Sequence, residues 1–151
     1  MRGPKQFIPE SLEAELEQYS SEPMIRVVMM PENTNPMGFI FGGVILSHLD
    51  LAAGEEALKS AGRPVVTAVM RGVEFTSRVH VGDWVSFYTR TNSVGRTSVT
   101  VGVLVVAHRG FGRNRLYKVT EAECVFVAID EEGRPTPLLF PASESNDGAE
   151  Q

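Results

Sequence analysis

From Met24 onward the apolar residues follow two periods, and the switch between them sets the fold. Across Gly42–Ser60 they recur at helical spacing: Ile45, Leu49, Ala52 and Ala53 form one stripe, and Leu46, Asp50, Ala53 and Ala57 an adjacent one. Ala61-Gly62-Arg63-Pro64 stops this helix, with Gly62 suited to a C′ position and Lys59 to the last turn. At ~1.5 Å per residue the helix is about 28 Å long. Beyond Pro64 the pattern is that of strands. Val99, Val101, Val103, Val105 and Ala107 share one face of Thr97–His108 at a period of two. Strands are also predicted at Val65–Phe75, Trp84–Asn92 and Tyr117–Ile129, separated by Ser77–Gly82, a tight connection at Ser93–Arg96 and the loop Arg109–Arg115.

Ahead of the helix, Met24–Met30 reads as a first strand ended by Pro31, and Pro31–Gly38 has turn chemistry. Pro9 opens a short helix with Glu10 and Glu13 in its first turn; Leu12, Leu16 and Tyr19 form its apolar face. One strand, one long helix and then strands without further helices argue an α+β chain with an antiparallel sheet packed on one helix. The expected organisation is an N-terminal arm over 1–23, one domain over 24–138 and a disordered Ser-, Asp- and Glu-rich tail over 139–151. One helix with loops does not cover such a sheet completely, so pairing with a second copy is expected.

A chain of 151 residues fits a single domain. Its net charge of −5 gives no reason to expect nucleic acid or an anionic membrane as partner. The single cysteine, Cys124, precludes an intramolecular disulfide and reads as a core residue. No signal-peptide core and no apolar run of membrane-span length is present, so a cytoplasmic location is expected.

The candidate chemistry lies in Asn33–Asp50, NTNPMGFIFGGVILSHLD. A glycine-opened helix start presents unpaired N–H groups and partial positive charge. Asp50 interrupts an aliphatic surface, where an acid is unusual. Geometry leaves both features open: Asp50 as a solvated acid or a site acid, Gly42-Gly43 as a packing device or an anion-facing helix start. His48 lies about 200° round the helix from Asp50, so the two do not act together. His80 and His108, at strand ends, are expected to be solvated, as is Arg78; the loop arginines Arg109, Arg113 and Arg115 are expected to be solvated, with a contact to a ligand phosphate as the alternative. No His/Cys/Asp cluster has metal-ligand spacing.

The segment resembles the signature of hotdog-fold acyl-CoA thioesterases, P-x-[DN]-[TA]-N-x-x-G-x-x-F-G-G followed after six residues by Asp. Pro31, Asn33, Thr34, Asn35, Gly38, Phe41, Gly42, Gly43 and Asp50 fall in that register. Further matches are Val66-Thr67, Phe75, Val81-Gly82-Asp83, Val94 through Ser98 and Phe126 through Asp130. The resemblance implies a hotdog fold, an antiparallel five-stranded sheet wrapped around one long central helix. It also implies pairing of two subunits edge to edge with active sites at their interface, and a trimer of dimers is common in the family. The implied activity is hydrolysis of acyl-CoA thioesters with no metal or redox cofactor. Asp50 takes the role of general base or nucleophile, Asn35 acts across the interface, and the Gly42 or Gly43 amide is the oxyanion donor. Arg96, Thr97 and Ser98 match a segment along the coenzyme A channel, beside the plainer reading of a hairpin turn with a solvated Arg.

The chain departs from the family at Arg71 and Gly72, where an acid and a Ser or Asp are frequent. Arg71 is therefore expected either to face coenzyme A or to pair with an acid such as Glu74 or Glu121. Two competing readings remain: an acyl-thioester dehydratase or hydratase, disfavoured because Asn33–Phe41 holds no His, and an acyl-CoA sensor without catalysis, disfavoured by Asp50 and Asn35.

Overall fold

The computed structural model describes residues 6–139; residues 1–5 and 140–151 lie outside the described residues. Helix α1 (Glu10–Leu16) follows Pro9, whose extended backbone forms the N-cap. The chain continues through β1 (Ile25–Val28), helix α2 (Gly42–Ala61) and strands β2 (Val65–Arg71), β3 (Trp84–Val94), β4 (Ser98–Arg109) and β5 (Arg115–Ala128). The strands form one antiparallel sheet in the order β1-β3-β4-β5-β2. This is the hotdog arrangement, with α2 lying along the sheet. Among the described residues no helix is long and apolar enough to cross a membrane.

Helix α2 ends where its sequence says it should. Gly62 takes the left-handed conformation (φ 71°) that a residue with a Cβ adopts at a cost, and its N–H donates to Leu58 O at 2.9 Å. The expected stripe Ile45, Leu49, Ala52 and Ala53 is buried, joined by Ala57 and Ala61. These small side chains let the helix approach Val85, Phe87, Val99, Val101, Val103, Val105, Cys124 and Phe126 on the inner face of the sheet.

The opposite face of the sheet is covered by the chain's own arm. Leu12, Leu16 and Tyr19 pack on Tyr88, Leu104, Val106 and Leu116. Tyr19 donates to Glu121 at 2.6 Å, and Lys118 bridges Glu15 and Glu121. Strand β4 is thus buried on both faces, which explains why Leu104 and Val106 are apolar as well as the odd-numbered valines. An exposed apolar surface remains along the β2 edge, where Val66 and Val69 are 45% and 43% exposed, and at Phe75 just beyond it, 48% exposed.

Three expectations need correction. The second strand stops at Arg71 rather than Phe75, because Gly72 turns to φ 77° and takes the chain out of the extended region. Arg109 is not solvated: it donates to both carboxylate oxygens of buried Asp83, at 2.9 and 2.7 Å. His108 is not solvated either, being 8% exposed beneath the arm side of the sheet. Arg26 Nε–H donates to Ser86 Oγ at 2.7 Å, and the Ser86 hydroxyl shares a 3.0 Å hydrogen bond with His108 Nε2.

Burial, with the nearby Arg26 charge, pushes the His108 pKa down to about 4. Between that value and the unfolded value near 6.5 the unfolded chain binds a proton that the folded chain refuses, so stability rises with pH across this window. Denaturant unfolding should show the protein losing about 2 kcal/mol from this group between pH 7 and pH 5. His108→Gln should flatten that part of the pH profile, and a slope identical in wild type and variant would show that His108 charges freely in the fold.

Candidate active site

The site begins in the turn before α2. Asn35 Oδ1 accepts from the N–H groups of Met37 (3.0 Å) and Phe39 (3.1 Å), and Gly38 takes φ 85°. The carboxamide oxygen thus holds the turn together, which leaves the Nδ2 amide as the part of Asn35 that can meet a ligand. Phe41 N donates to Asn33 O at 2.8 Å and Val44 N to Phe41 O at 3.0 Å. Between them the N–H groups of Gly42 and Gly43 meet no acceptor among the described residues, and no acid sits in the first turn to neutralise the helix dipole. A cavity of about 490 Å³ opens there, lined by Asn35, Gly42, Ile45, Phe75, Ser77 and Arg78 among others. A Cβ on Gly42 would lie 3.4 Å from the Phe75 ring, and one on Gly43 2.5 Å from the Phe41 ring. The glycine pair therefore lets two aromatic rings close over an open helix start.

Asp50 lies in a second cavity, a groove of about 580 Å³ between α2 and β2 lined by Gly54, Leu58, Val66, Thr67 and Phe126. It is half-buried, and its Oδ1 accepts a 2.7 Å hydrogen bond from the Thr67 hydroxyl. Thr67 pairs with Phe126 in the β2–β5 ladder, and the register shift between Thr67 and Val69 makes Ala68 an extra residue in the strand. Such a bulge bends the strand next to the residue that aims at Asp50. That Thr67, quoted above only within the Val66-Thr67 match, bonds Asp50 was not evident from sequence. Its signal is a hydroxyl on the helix-facing side of the strand that directly follows the acid-bearing helix.

The remaining candidates lie elsewhere. Arg96 and Thr97 form the turn between β3 and β4, with Ser98 the first residue of β4. Arg96 is exposed, with no side-chain partner among the described residues, and its carbonyl accepts from Leu138 N at 2.9 Å. Leu139 N donates to Ala61 O, so this turn lies at the C-terminal end of α2, the end toward which the Asp50 groove runs. Arg71 pairs with Glu123 at 3.0 Å rather than with Glu74 or Glu121. Its register partner Glu123 points away from α2, so the sheet separates Arg71 from Asp50. His48 bonds the Val44 carbonyl through Nδ1 at 2.8 Å and stacks on Phe87, apart from Asp50. Cys124 is buried, and burial together with the carboxylates of Asp50 and Glu123 pushes its thiol up to about 11, which disqualifies it as a nucleophile.

Known proteins share this architecture. The thioesterase superfamily profile matches residues 37–110. The acyl-CoA thioester hydrolase YciA of Salmonella typhimurium is 38% identical over 121 residues, covering 78% of this chain and 90% of that protein. A hexameric hotdog fold thioesterase of Campylobacter jejuni superposes with a TM-score of 0.73 at 38% identity, covering 78% of this chain and 90% of that one. The hexameric broad specificity acyl-coenzyme A thioesterase HI0827 gives a TM-score of 0.74 at 32% identity, covering 84% and 86%. With an acid-bearing helix, an open helix start and these relatives, the chain belongs to the hotdog-fold acyl-CoA thioester hydrolases of the thioesterase superfamily.

Proposed function

We propose that this enzyme cleaves acyl-CoA thioesters with Asp50 as the catalytic carboxylate and the N-terminal turn of α2 as the electrophilic pocket. The observation that carries the reading is the Thr67–Asp50 hydrogen bond: it fixes a half-buried carboxylate in a groove of substrate size while leaving Oδ2 free. Asp50 either takes the proton of a water whose oxygen displaces the coenzyme A thiolate from the carbonyl, or attacks that carbon itself, expelling the thiolate and leaving an acyl anhydride that water then hydrolyses. General-base catalysis by a placed carboxylate is worth ~10²–10⁴-fold. The amide N–H of Gly42 or Gly43 receives the negative charge that develops on the thioester oxygen, worth on the order of 10²–10³. The Asn35 Nδ2 amide is a further donor in the same pocket.

One chain does not complete this site. Asp50 is eight residues beyond Gly42, so their backbones are about 12 Å apart along the helix. A carboxylate side chain does not bridge that distance, and Asp50 and Asn35 line separate cavities. The reading therefore needs a second copy, whose Asn35, Gly42 and Gly43 face the first copy's Asp50 along the exposed β2 edge. The hexameric assembly of the related thioesterases is in keeping with such pairing and with a trimer of dimers for this chain. Arg96, exposed in the turn near the C-terminal end of α2, is the proposed contact for a phosphate of coenzyme A.

Turnover is followed through the free thiol released from a panel of acyl-CoAs with a chromogenic disulfide. Asp50→Asn should lower kcat by ~10²–10⁴ with the oligomer intact. Thr67→Val, which leaves the carboxylate present but unaimed, should lower it by about tenfold. Activity of Asp50→Asn within a few-fold of wild type would sink the mechanism. Arg96→Ala should raise KM at unchanged kcat, the mark of binding lost equally from ground and transition states; an unaltered KM would remove Arg96 from the coenzyme A site.

A further inference from the structure

The sheet face opposite α2 holds a cavity of about 310 Å³ lined by Gln6, Arg26, Trp84, His108, Gly112 and Arg113. Trp84 is paired with His108 across β3 and β4, and Arg26 with Ser86 across β1 and β3. Their neighbours Val85 and Ala107 point into the inner core, so Trp84, His108 and Ser86 point outward. Asp50 and Thr67 lie on the other face. The volume corresponds to about ten waters at ~30 Å³ each.

Three side chains lining this cavity, Arg26, Trp84 and Arg113, carry only donors. Trp84 Nε1–H is buried without an acceptor among the described residues, and an indole nitrogen can only donate. His108 Nε2 shares a 3.0 Å hydrogen bond with the Ser86 hydroxyl at the base of the cavity. Arg26 gives Nε–H to Ser86, and its terminal guanidinium nitrogens bond nothing among the described residues. Arg113 places its guanidinium 4.4 Å above the Trp84 ring. Neither Arg26 nor Arg113 is in an ion pair among the described residues. The nearby carboxylate, Asp83, is already held by Arg109 and by the His80 N–H. Two exposed guanidinium groups, neither in an ion pair among the described residues, stand beside a buried unmet N–H and give this spot a local positive charge.

The backbone adds to this picture. Arg113 has φ 53°, the one positive φ of a non-glycine residue among the described residues. A side-chain-bearing residue adopts that region rarely, and such conformations gather at binding sites where surrounding structure enforces them. Gly110 and Gly112, just before Arg113, are also at positive φ, and the Arg113 guanidinium stacks on Trp84 at the cavity.

We propose that Arg26, Trp84, His108 and Arg113 form an oxyanion site that takes a phosphate or phosphomonoester on the sheet face opposite the thioester-cleaving groove. A phosphate offers oxygens in several directions, as this spread of donors requires, whereas a carboxylate presents two in one plane. The phosphate reaches the site either on a free phosphorylated ligand or as the 3′-phosphate of coenzyme A.

Trp84 is the only tryptophan in the chain, so its emission reports on the cavity directly. The full chain is titrated with inorganic phosphate in a buffer free of other oxyanions, against chloride at equal ionic strength. Phosphate should change the emission saturably and chloride should not. Arg113→Ala and Arg26→Gln, each checked for wild-type circular dichroism, should each weaken phosphate binding about tenfold. Asp50→Asn should leave it unchanged. Parallel titrations with coenzyme A and 3′-dephospho-coenzyme A separate the two sources: a response lost with the 3′-phosphate assigns the site to the substrate's nucleotide end, and a response to phosphate alone assigns a free ligand. Both results support the site. Emission that answers phosphate no more than chloride, or an affinity unchanged in both arginine variants, overturns it.

Discussion

The length of one helix governs what this fold can do. Helix α2 carries the acid and the open N–H groups on the same element, about 12 Å apart. A thioester carbonyl is a single point in space, and base and electrophile must both reach it within hydrogen-bond distance. No rotamer of Asp50 meets that demand inside one chain. The proposed mechanism follows from this separation: two helices, related by the symmetry of a pair, bring the start of one beside the middle of the other.

The rest of the chain serves that arrangement. The alanine-rich stripe of α2 seats the helix closely on the sheet, so Asp50 lies within reach of Thr67 on β2. The arm supplies the cover that the outer sheet face needs, through Leu12, Leu16 and Tyr19. The β2 edge with exposed Val66 and Val69, and Phe75 just beyond it, is an apolar surface available to a second copy. The same edge carries the bulge at Ala68, so the strand that aims Thr67 at Asp50 also forms the border across which the second helix start would arrive.

Much of this was legible in the sequence because the signals are local. A turn Asn, a glycine pair, a period-3.6 stripe and a terminal glycine lie within thirty residues of one another and needed no tertiary information to place α2 within one residue of its observed end. The missed features are those set by distant partners. His108 is buried because the arm side of the sheet and the loop at Gly112 close over it, and Arg109 is neutralised by Asp83 from the preceding connection. Glu123 takes Arg71 because the β2–β5 register sets them opposite each other, a pairing that no spacing along the chain announces. Thr67 reaches Asp50 only after the fold is complete. The strand end at Arg71 turned on the left-handed backbone of Gly72, where sequence offered an apolar run continuing to Phe75.

The central claim, a site shared between two chains, is tested most directly by mixing two inactive variants. Asp50→Ala and Asn35→Ala are each purified, unfolded together and refolded as mixed oligomers, then assayed for acyl-CoA hydrolysis against each variant refolded alone. If Asp50 of one chain works with Asn35 of another, each mixed pair contains one intact site, and random reassortment should restore about a quarter of the wild-type activity. If both residues act from the same chain, every site in the mixture lacks one of them, and activity no higher than that of the separate variants would contradict the account.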